Sequence, residues 1–548
     1  EAVMYPCNVH TQKLVELIRD GAVGQVQNIH ASFGFRMSDY QNIRLRHDAA
    51  GGGIMDVGCY TMSIARLIAG AAMGRDFCDP AQVSGWGRVG EAKVDEWANA
   101  SVLFPGDILA TLVCGVRAAY ENKVRVFGTE GWLEIPSPYF ASRDAGVSRI
   151  IVGKWSGGEP QTVQIKADRG LYEIQVDTVA AHVADRQAPS PCMTWADSLG
   201  QQRAIDRWRH SVGVTFASEQ PEALRTPLGG KPLKAEPNHG MKYGRVAGID
   251  KPISKMVLGS MALGDRDMPH ACAMLDYFVQ RGGTCIDLAY VYGGGSSERA
   301  VGNWVKWRGN REDIVIIDKG CHPPQCDPKL VHSQIDENLN RLQMDYIDLY
   351  FLHRDDTKFG VDEWIDALSA EQDAGRIRAF GGSNWTPART DEANAYAKKA
   401  GKHPMVALSN NFALAKWNRP LWGGCLTSAD PQSMRWHVEH QFPNFAWSSQ
   451  ASGFFTGRYR KDDDDPSMAH IRDWWYNEDN FKRLDRVNEL AKKKGVGPTQ
   501  IAAAYVLCQP FPLFALVGPQ TLQEASDSLA AASVELSPDE LKWLNLEA

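Results

Sequence analysis

The sequence predicts a (β/α)8 (TIM) barrel in its second half, preceded by an α+β domain on a mostly antiparallel open sheet. Three observations carry this prediction. The chain has 548 residues, too many for one hydrophobic core, so it divides into at least two domains. Residues 214–240, "VTFASEQPEALRTPLGGKPLKAEPNHG", are rich in Pro, Gly and Glu, have no apolar period, and read as a linker. From Met241 to the end, short apolar runs alternate with helix-like stretches, whereas in residues 1–213 strand-like runs follow one another with few helices between them.

The first half opens with a helical pattern, "TQKLVELIRDGAVG" (11–24). Strand-like segments follow at "VQNIHASFGF" (26–35), "EWANASVLF" (96–104), "ILATLVCGVR" (108–117) and "KVRVFGTEGWLEI" (123–135). The second half offers eight candidate strands: "KMVLGS" (255–260), "TCIDLA" (284–289), "DIVIIDKG" (313–320), "YIDLYFLHR" (346–354), "IRAFGGSN" (377–384), "MVALSNN" (405–411), "FAWSSQ" (445–450) and "FALVGPQ" (514–520). Stretches such as "PHACAMLDYFVQRG" (269–282) and "DPKLVHSQIDENLNRL" (327–342) carry apolar residues at helical spacing. Near-continuous apolar strands that alternate with helices give a parallel sheet covered on both faces, and eight such units close a barrel.

Composition narrows the function. Apolar residues make up 44% and charged residues 23% of the chain, as in ordinary globular proteins. A net charge of −7 argues against nucleic acid or an anionic membrane surface, which call for a basic face. No run of about eighteen apolar residues is present to span a bilayer. The opening residues are amphipathic and unlike a signal peptide. Eleven cysteines without a repeated spacing read as reduced thiols of a cytoplasmic protein. "CHPPQC" (321–326) could begin a zinc site but has no second half at a suitable distance, so no metal is expected. "KDDDDP" (461–466) reads as a solvated loop.

In a parallel barrel the C-terminal strand ends face the active site. That rule gathers Asp287, with Tyr290 and Tyr292 just beyond it, then Lys319, His353, Ser383 and Asn384. Each alone is an ordinary rim residue; four proton-handling side chains on successive strands suit proton donation to a carbonyl. A tyrosine, a weak acid with a pKa of about 10, gains strength from a neighbouring ammonium. A carboxylate keeps that ammonium charged, and a histidine can orient the carbonyl oxygen. Acid catalysis supplies roughly 100- to 10,000-fold; the hydride has to come from a nicotinamide cofactor. On this reasoning either tyrosine could be the acid.

The motifs "IDLAYVYG", "IIDKG", "MDYIDLYFLH", "GRIRAFGGSN", "WSSQASGFFTGRY" and "VGPQT" occur in one order, and residues 241–548 resemble an aldo-keto reductase. The resemblance implies a catalytic tetrad of Asp287, Tyr292, Lys319 and His353. It selects Tyr292 as the acid and leaves Tyr290 to line the pocket. It further implies NAD(P)H, with Ser383 and Asn384 holding the nicotinamide amide and Trp447 stacked on its ring. Ser409 and Asn410 stand where the family usually has a glutamine that helps hold the nicotinamide. Ser448, Gln450 and Gly453 would lie along the pyrophosphate, and Gly518, Gln520, Glu524 and Ser528 near the adenosine. "GPQTLQEASDS" lacks the Arg or Lys that NADP-preferring members place at the 2′-phosphate, so NADH is the expected cofactor. The substrate pocket is expected to be rich in tryptophan: Trp417, Trp422 and Trp436, then Trp474 and Trp475 of "RDWWYNED". Such rings, Trp422 foremost, suit a sugar or another ring-bearing carbonyl, or else pack the insert against the barrel.

Residues 1–213 resemble the C-terminal domain of the glucose–fructose oxidoreductase and inositol dehydrogenase (Gfo/Idh/MocA) family. The likeness rests on "EAVMY", "QKLVELIRDGAVGQV", "GGGIMDVGCYTMSIARLIAG", "VDEWANASVLF" and "GTEGWLEIP". It implies Asp56 as a substrate-site carboxylate and Tyr60 as an acid/base, and open-sheet contacts between copies of the chain. Pro6 and Asn8 stand where relatives usually have Arg and His. The family's Rossmann domain is not among these residues, so this half alone is not expected to bind a dinucleotide. Two readings follow. One is an oxidoreductase of carbohydrate metabolism, its barrel acting on an aldehyde, ketone or keto-sugar behind a truncated sugar or polyol dehydrogenase module. The other is a non-catalytic nucleotide-binding or oligomerisation subunit.

Overall fold

The computed structural model describes residues 3–220, 222–227, 230–461 and 469–547. The chain divides into two compact units between Gln220 and Pro221, inside the stretch read as linker. Within that stretch Val214 and Phe216 are buried at the end of the first unit, and Leu224 belongs to the core of the second. Asp462–Pro466, most of the acidic run, lie outside the described residues.

The first unit carries helices α1 (Val9–Arg19), α2 (Cys59–Ala72), α3 (Leu171–Ala181) and α4 (Trp195–Val212). Its strands are β1 (Val26–Arg36), β2 (Gln82–Val89), β3 (Asp95–Phe104), β4 (Ile108–Gly115), β5 (Arg117–Gly128), β6 (Gly131–Pro136), β7 (Gly146–Lys154) and β8 (Gln161–Ala167). They form one open sheet in the order β2-β3-β4-β1-β5-β6-β7-β8. Every pairing is antiparallel except β1 with β4. Along β3 the burial alternates: Ala98, Ala100, Val102 and Phe104 enter a core with Leu14, Ile64, Ile68 and Trp208, while Trp97, Asn99 and Ser101 face solvent. The sequence reading missed β2, β7, β8, α3 and α4. β2, "QVSGWGRV", is glycine-containing and mostly exposed, so it lacks the alternation that marks a strand.

The run His47–Ala72 reaches the length and mean hydropathy of a membrane span, but 78% of its window is buried inside this unit, as in the core helix of a globular domain. Ile54–Gly58 forms a π turn that leads into α2. Gly52 explains the glycines before it. It has φ +124°, and a Cβ there would meet Asp95 Oδ1 at 2.3 Å, so no side chain fits.

The second unit begins with a hairpin, β9 (Tyr243–Val246) and β10 (Ile249–Ser254). Eight strands follow: β11 (Met256–Gly259), β12 (Cys285–Asp287), β13 (Val315–Gly320), β14 (Ile347–Leu352), β15 (Ile377–Ser383), β16 (Leu408–Ser409), β17 (Asn444–Ala446) and β18 (Leu513–Val517). All pair in parallel and close a barrel in chain order. Every strand lies within or overlaps its predicted segment. β13 and β14 are buried at every position, which is why they read as unbroken apolar runs. Helices between the strands turn an apolar stripe inward, as in α5 (Met268–Gln280), α6 (Ser296–Arg308), α7 (Val331–Leu342) and α8 (Val361–Asp373). In α7 the stripe is Val331, Ile335, Leu339 and Leu342. The remaining helices are α9 (Pro387–Ala400), α10 (Pro431–His440), α11 (Ala469–Trp475), α12 (Glu478–Lys494), α13 (Pro498–Leu507), α14 (Leu522–Leu529) and α15 (Pro538–Leu544).

The barrel interior positions the site. Cys285, Val315, Ile317, Leu349, Phe351, Ala379, Ala407 and Phe445 fill it, and Val246, Ile249 and Ile253 of the hairpin join the same cluster. The hairpin therefore closes the end where the strands begin. Side chains alternate along a strand, so two residues beyond Cys285, Ile317, Phe351, Ala407 and Phe445 stand Asp287, Lys319, His353, Ser409 and Trp447, at the opposite, open end.

Candidate active site

At that end Asp287 Oδ1 lies 2.6 Å from Lys319 Nζ, and both side chains are 3% exposed. Lys319 Nζ also donates to the Leu288 carbonyl (2.8 Å) and to the Tyr292 hydroxyl (3.4 Å). The Tyr292 and His353 rings stand 6.1 Å apart at 84°. The His322 and His353 ring centroids lie 4.9 Å apart at 71°. Strand ends hold Asp287, Lys319 and His353. Tyr292 rides the turn of glycines 293–295, all at positive φ.

Burial sets the electrostatics here. It acts against the Lys319 ammonium, but Asp287 and Tyr292 outweigh it and hold the lysine above its ordinary range. Burial pushes Tyr292 above its ordinary value, and the pull of Lys319 only partly offsets this. The ammonium alone would lower the phenol, as expected from sequence, but desolvation outweighs it. Burial, with the charges of Lys319, His322 and Arg354, drives His353 well below the usual imidazole range. It is neutral at physiological pH, and among the described residues its Nδ1 is buried without a partner.

A second layer escaped the sequence reading. Asp318 accepts from the Lys319 amide (2.8 Å), and Asn338 Nδ2 on α7 donates to both Asp318 (3.0 Å) and Glu298 of α6 (2.7 Å). Arg341 in turn binds Glu298 at 2.7 Å. The network fixes the tip of β13 against α6 and α7. The signal was present: an ionisable residue in the apolar strand "DIVIIDKG", one place before Lys319, must point to the helix side and needs partners there.

Two assignments are corrected. Tyr290 does not line the pocket. Its hydroxyl donates to Glu337 Oε2 (2.6 Å) on α7, and the Arg341 guanidinium covers its ring at 4.3 Å. Two residues later in the same turn, Tyr292 points inward. Asn410 also faces away from the rim, donating to the Trp385 carbonyl (2.9 Å) and Ser428 Oγ (3.3 Å). Its neighbour Ser409 takes the inward place, as strand alternation requires, and donates to the Phe445 carbonyl at 3.1 Å.

Among the other cofactor candidates, Ser383 Oγ donates to the Ser409 carbonyl (2.8 Å). Asn384 Nδ2 donates to Ser383 Oγ (3.1 Å) and to the His353 carbonyl (3.3 Å), while its Oδ1 accepts from Leu426 N (3.0 Å). Trp447 lies 5.8 Å from Trp417 and 6.0 Å from Trp422, and Trp422 lies 6.2 Å from Trp474. Trp436 and Trp475 belong to packing: Trp436 bonds Asp391 from α10, and Trp475 is fully buried. Ser448, Ala451, Ser452 and Gly453 all have positive φ. Ser528 Oγ donates to Gln450 Oε1 (3.1 Å), tying this loop to α14. At the start of α14, Thr521 caps Glu524 N, and Glu524 accepts from Gln520 N (2.8 Å). Among the described residues, and its chain neighbours apart, no heavy atom lies within 4 Å of where a Gly518 Cβ would be.

This set fits a dinucleotide. Among the described residues Trp447 Nε1 is buried without a partner, and Gly518 leaves open room. Among the described residues no group of three His, Cys, Asp or Glu side chains is arranged to hold a metal. Cys321 and Cys326 instead contact backbone carbonyls.

In the first unit Asp56 sits on the π turn and is bound by Arg44 at 2.8 Å. The Tyr60 hydroxyl donates to Met4 Sδ (3.6 Å), and its ring packs among Tyr5, Phe33 and Tyr139.

An eight-stranded barrel with an Asp–Lys pair, a tyrosine and a histidine at its open end defines a class of carbonyl oxidoreductase. Residues 255–545, more than half the chain, match the aldo/keto reductase family, and the chain belongs to that family. Residues 11–134 match the GFO/IDH/MocA C-terminal domain. Relatives match a little over half of the chain. Protein tas of Escherichia coli is 29% identical over 347 residues, covering 55% of this chain and 96% of that protein. The aryl-alcohol dehydrogenase [NADP(+)] of Phanerodontia chrysosporium is 25% identical over 322 residues, covering 54% and 82%. The norsolorinic acid reductase of Aspergillus flavus is 26% identical over 343 residues, covering 57% and 83%. The chain is an NAD(P)-dependent oxidoreductase of small molecules, interconverting a carbonyl and an alcohol.

Proposed function

We propose that the barrel reduces aldehydes, ketones or keto-sugars with Tyr292 as the acid, Lys319 and Asp287 as its electrostatic support, and His353 as the orienting group. The observation that carries this reading is the ammonium of Lys319, 2.6 Å from Asp287 and 3.4 Å from the Tyr292 hydroxyl. A bound nicotinamide supplies the hydride. Tyr292 keeps its proton because burial holds its pKa up, and gives it to the carbonyl oxygen as negative charge develops there. Lys319 stabilises the phenolate left behind. Asp287 keeps Lys319 charged and in place. Neutral His353 holds the carbonyl oxygen toward Tyr292.

Ser383, Asn384, Ser409 and Trp447 are the proposed nicotinamide contacts. Ser448, Gln450, Gly453, Gly518, Gln520, Glu524 and Ser528 are proposed for the rest of the dinucleotide. A preference for NADH is supported by the lack of Lys and Arg from Gly518 to Ser528 and by Glu524 at that helix start; the aryl-alcohol dehydrogenase relative is named for NADP(+). Trp422 and Trp447 favour ring-bearing substrates. Residues 1–213 are read as the sugar-dehydrogenase-like module, with Asp56 and Tyr60 in its own site, and 214–240 as the connection. Trp86, Trp97 and Leu109, 68%, 36% and 50% exposed, support contacts between copies through the open sheet. Eleven cysteines without a disulfide support a cytoplasmic setting.

The test is oxidation of NADH and NADPH by the purified chain over a panel of aldehydes and keto-sugars, with Tyr292→Phe alongside. Turnover that the variant loses supports the assignment. Nucleotide binding with no turnover by either protein overturns it and restores the non-catalytic reading.

A further inference from the structure

Arg354 follows His353 at the open end of the barrel and is 8% exposed. Buried charges are ordinarily paired. Arg66 and Arg209, which are at least as buried, each hold two acidic residues. Among the described residues no carboxylate oxygen lies within 4.0 Å of the Arg354 guanidinium. Its contacts are the His353 carbonyl (3.0 Å from Nη1) and Cys425 Sγ (3.2 Å from Nη2). Burial pushes the Cys425 thiol above its ordinary range, so it is not a counter-anion. Arg483 also has no carboxylate within 4.0 Å among the described residues, but it sits on outer helix α12 and donates to Asn480 (3.0 Å).

The surroundings put Arg354 at the rim of the proposed substrate pocket. Cys425 belongs to the segment that carries Trp422, three residues earlier, and Trp422 stands against Trp447. Asn384 pins that segment through Leu426 N and also holds the His353 carbonyl. Arg354 therefore lies between the orienting histidine and the tryptophan segment. His322, with its ring against His353, is the other cationic-capable group beside it.

We propose that this site selects carbonyl substrates that also carry an anionic group, a carboxylate or a phosphate, and that Arg354 is the specificity residue that binds it. The inference rests on the reductase reading of the same site. A planar guanidinium with unused N–H groups matches either oxyanion. The ligand supplies the charge that the protein does not, so affinity falls on the anionic group while the carbonyl remains at Tyr292 and His353.

The test compares matched substrates: succinic semialdehyde against butanal for the carboxylate, and glyceraldehyde 3-phosphate against glyceraldehyde for the phosphate. The quantity read is the ratio of kcat/KM within each pair, in which any general loss of activity cancels. The wild type should favour the anionic member of at least one pair by tenfold or more. Arg354→Met should lower that ratio at least tenfold, mainly through KM, and Arg354→Lys should restore part of it. A wild-type ratio near one, or an Arg354→Met variant that loses both members equally, overturns the inference and leaves the reductase reading intact. If nothing is turned over, the reductase reading has failed. Tryptophan fluorescence titrated with succinate and with glycerol 3-phosphate then decides separately: saturable quenching that Arg354→Met abolishes upholds the anion site, and its absence in wild type overturns it.

Discussion

Both units carry an aspartate and a tyrosine a few residues apart, yet their surroundings differ. In the barrel, Asp287 is 3% exposed and paired with a lysine that also reaches the Tyr292 hydroxyl. In the first unit the Asp56 side chain is 22% exposed and tied to Arg44, while the Tyr60 hydroxyl meets the Met4 thioether. The lesson concerns backbone. Parallel strands of a barrel bring side chains from separate segments to one rim, so carboxylate, ammonium, phenol and imidazole converge. A helix start places its own near neighbours on one face and leaves convergence to whatever packs against it.

The comparison breaks first at Tyr292. Tyr292→Phe should lower kcat by about 100- to 10,000-fold while leaving circular dichroism unchanged, whereas Tyr60→Phe should leave carbonyl reduction by the barrel within a few-fold of wild type. Equal losses would mean that the barrel site has been misassigned. Asp287→Asn comes next. It removes one partner of a buried ion pair and leaves Lys319 uncompensated, which should cost the barrel about 3–5 kcal/mol in denaturant unfolding. Asp56→Asn, at a more exposed pair, should cost about 1 kcal/mol or less.

The two regions were also unequally legible. The barrel strands could be read because burial on both faces makes them apolar throughout, and their tips because polar residues end such runs. What failed there was direction. Tyr290 and Asn410 are the right residue types in the right segments, and alternation along the chain at the end of β16 would have turned Asn410 outward. Asp318 stands out locally as an ionisable residue in an apolar strand, but its partners Glu298 and Asn338 lie on other segments, a proximity that no local pattern encodes. In the first unit, exposed β2 and the glycine-led entry into α2 carry weak periodicity. The glycines before that helix make sense only once Asp95, more than forty residues later, is seen against Gly52.

Asp95 gives the next, smaller test. Its Oδ2 accepts from Ile54 N (2.7 Å), and burial pushes its carboxyl up to about 7 against the pull of backbone donors. A carboxyl raised on folding stabilises the folded state below its unfolded pKa, and that stability is lost as pH rises through the folded value. Between pH 5 and pH 8 the wild-type first unit should therefore lose about 3 kcal/mol that Asp95→Asn does not lose. Hydrogen exchange of the β3 and β4 amides reads this unit apart from the barrel. A pH dependence equal in variant and wild type would mean that Asp95 is ionised throughout.

The finest test separates two tyrosines of one turn. Tyr290 and Tyr292 are two residues apart, and chemistry alone could not choose between them. The fold chooses by direction, sending one hydroxyl to Glu337 on α7 and the other to Lys319. Tyr290→Phe removes a hydrogen bond to a carboxylate at a partly exposed site, worth about 1–2 kcal/mol of stability, and should change KM for neutral carbonyls by less than about threefold, an energy under 1 kcal/mol. A tenfold rise in KM would return Tyr290 to the pocket. The Glu337 contact would then be one of two positions of that side chain, and the turn after β12 would move both tyrosines over the substrate.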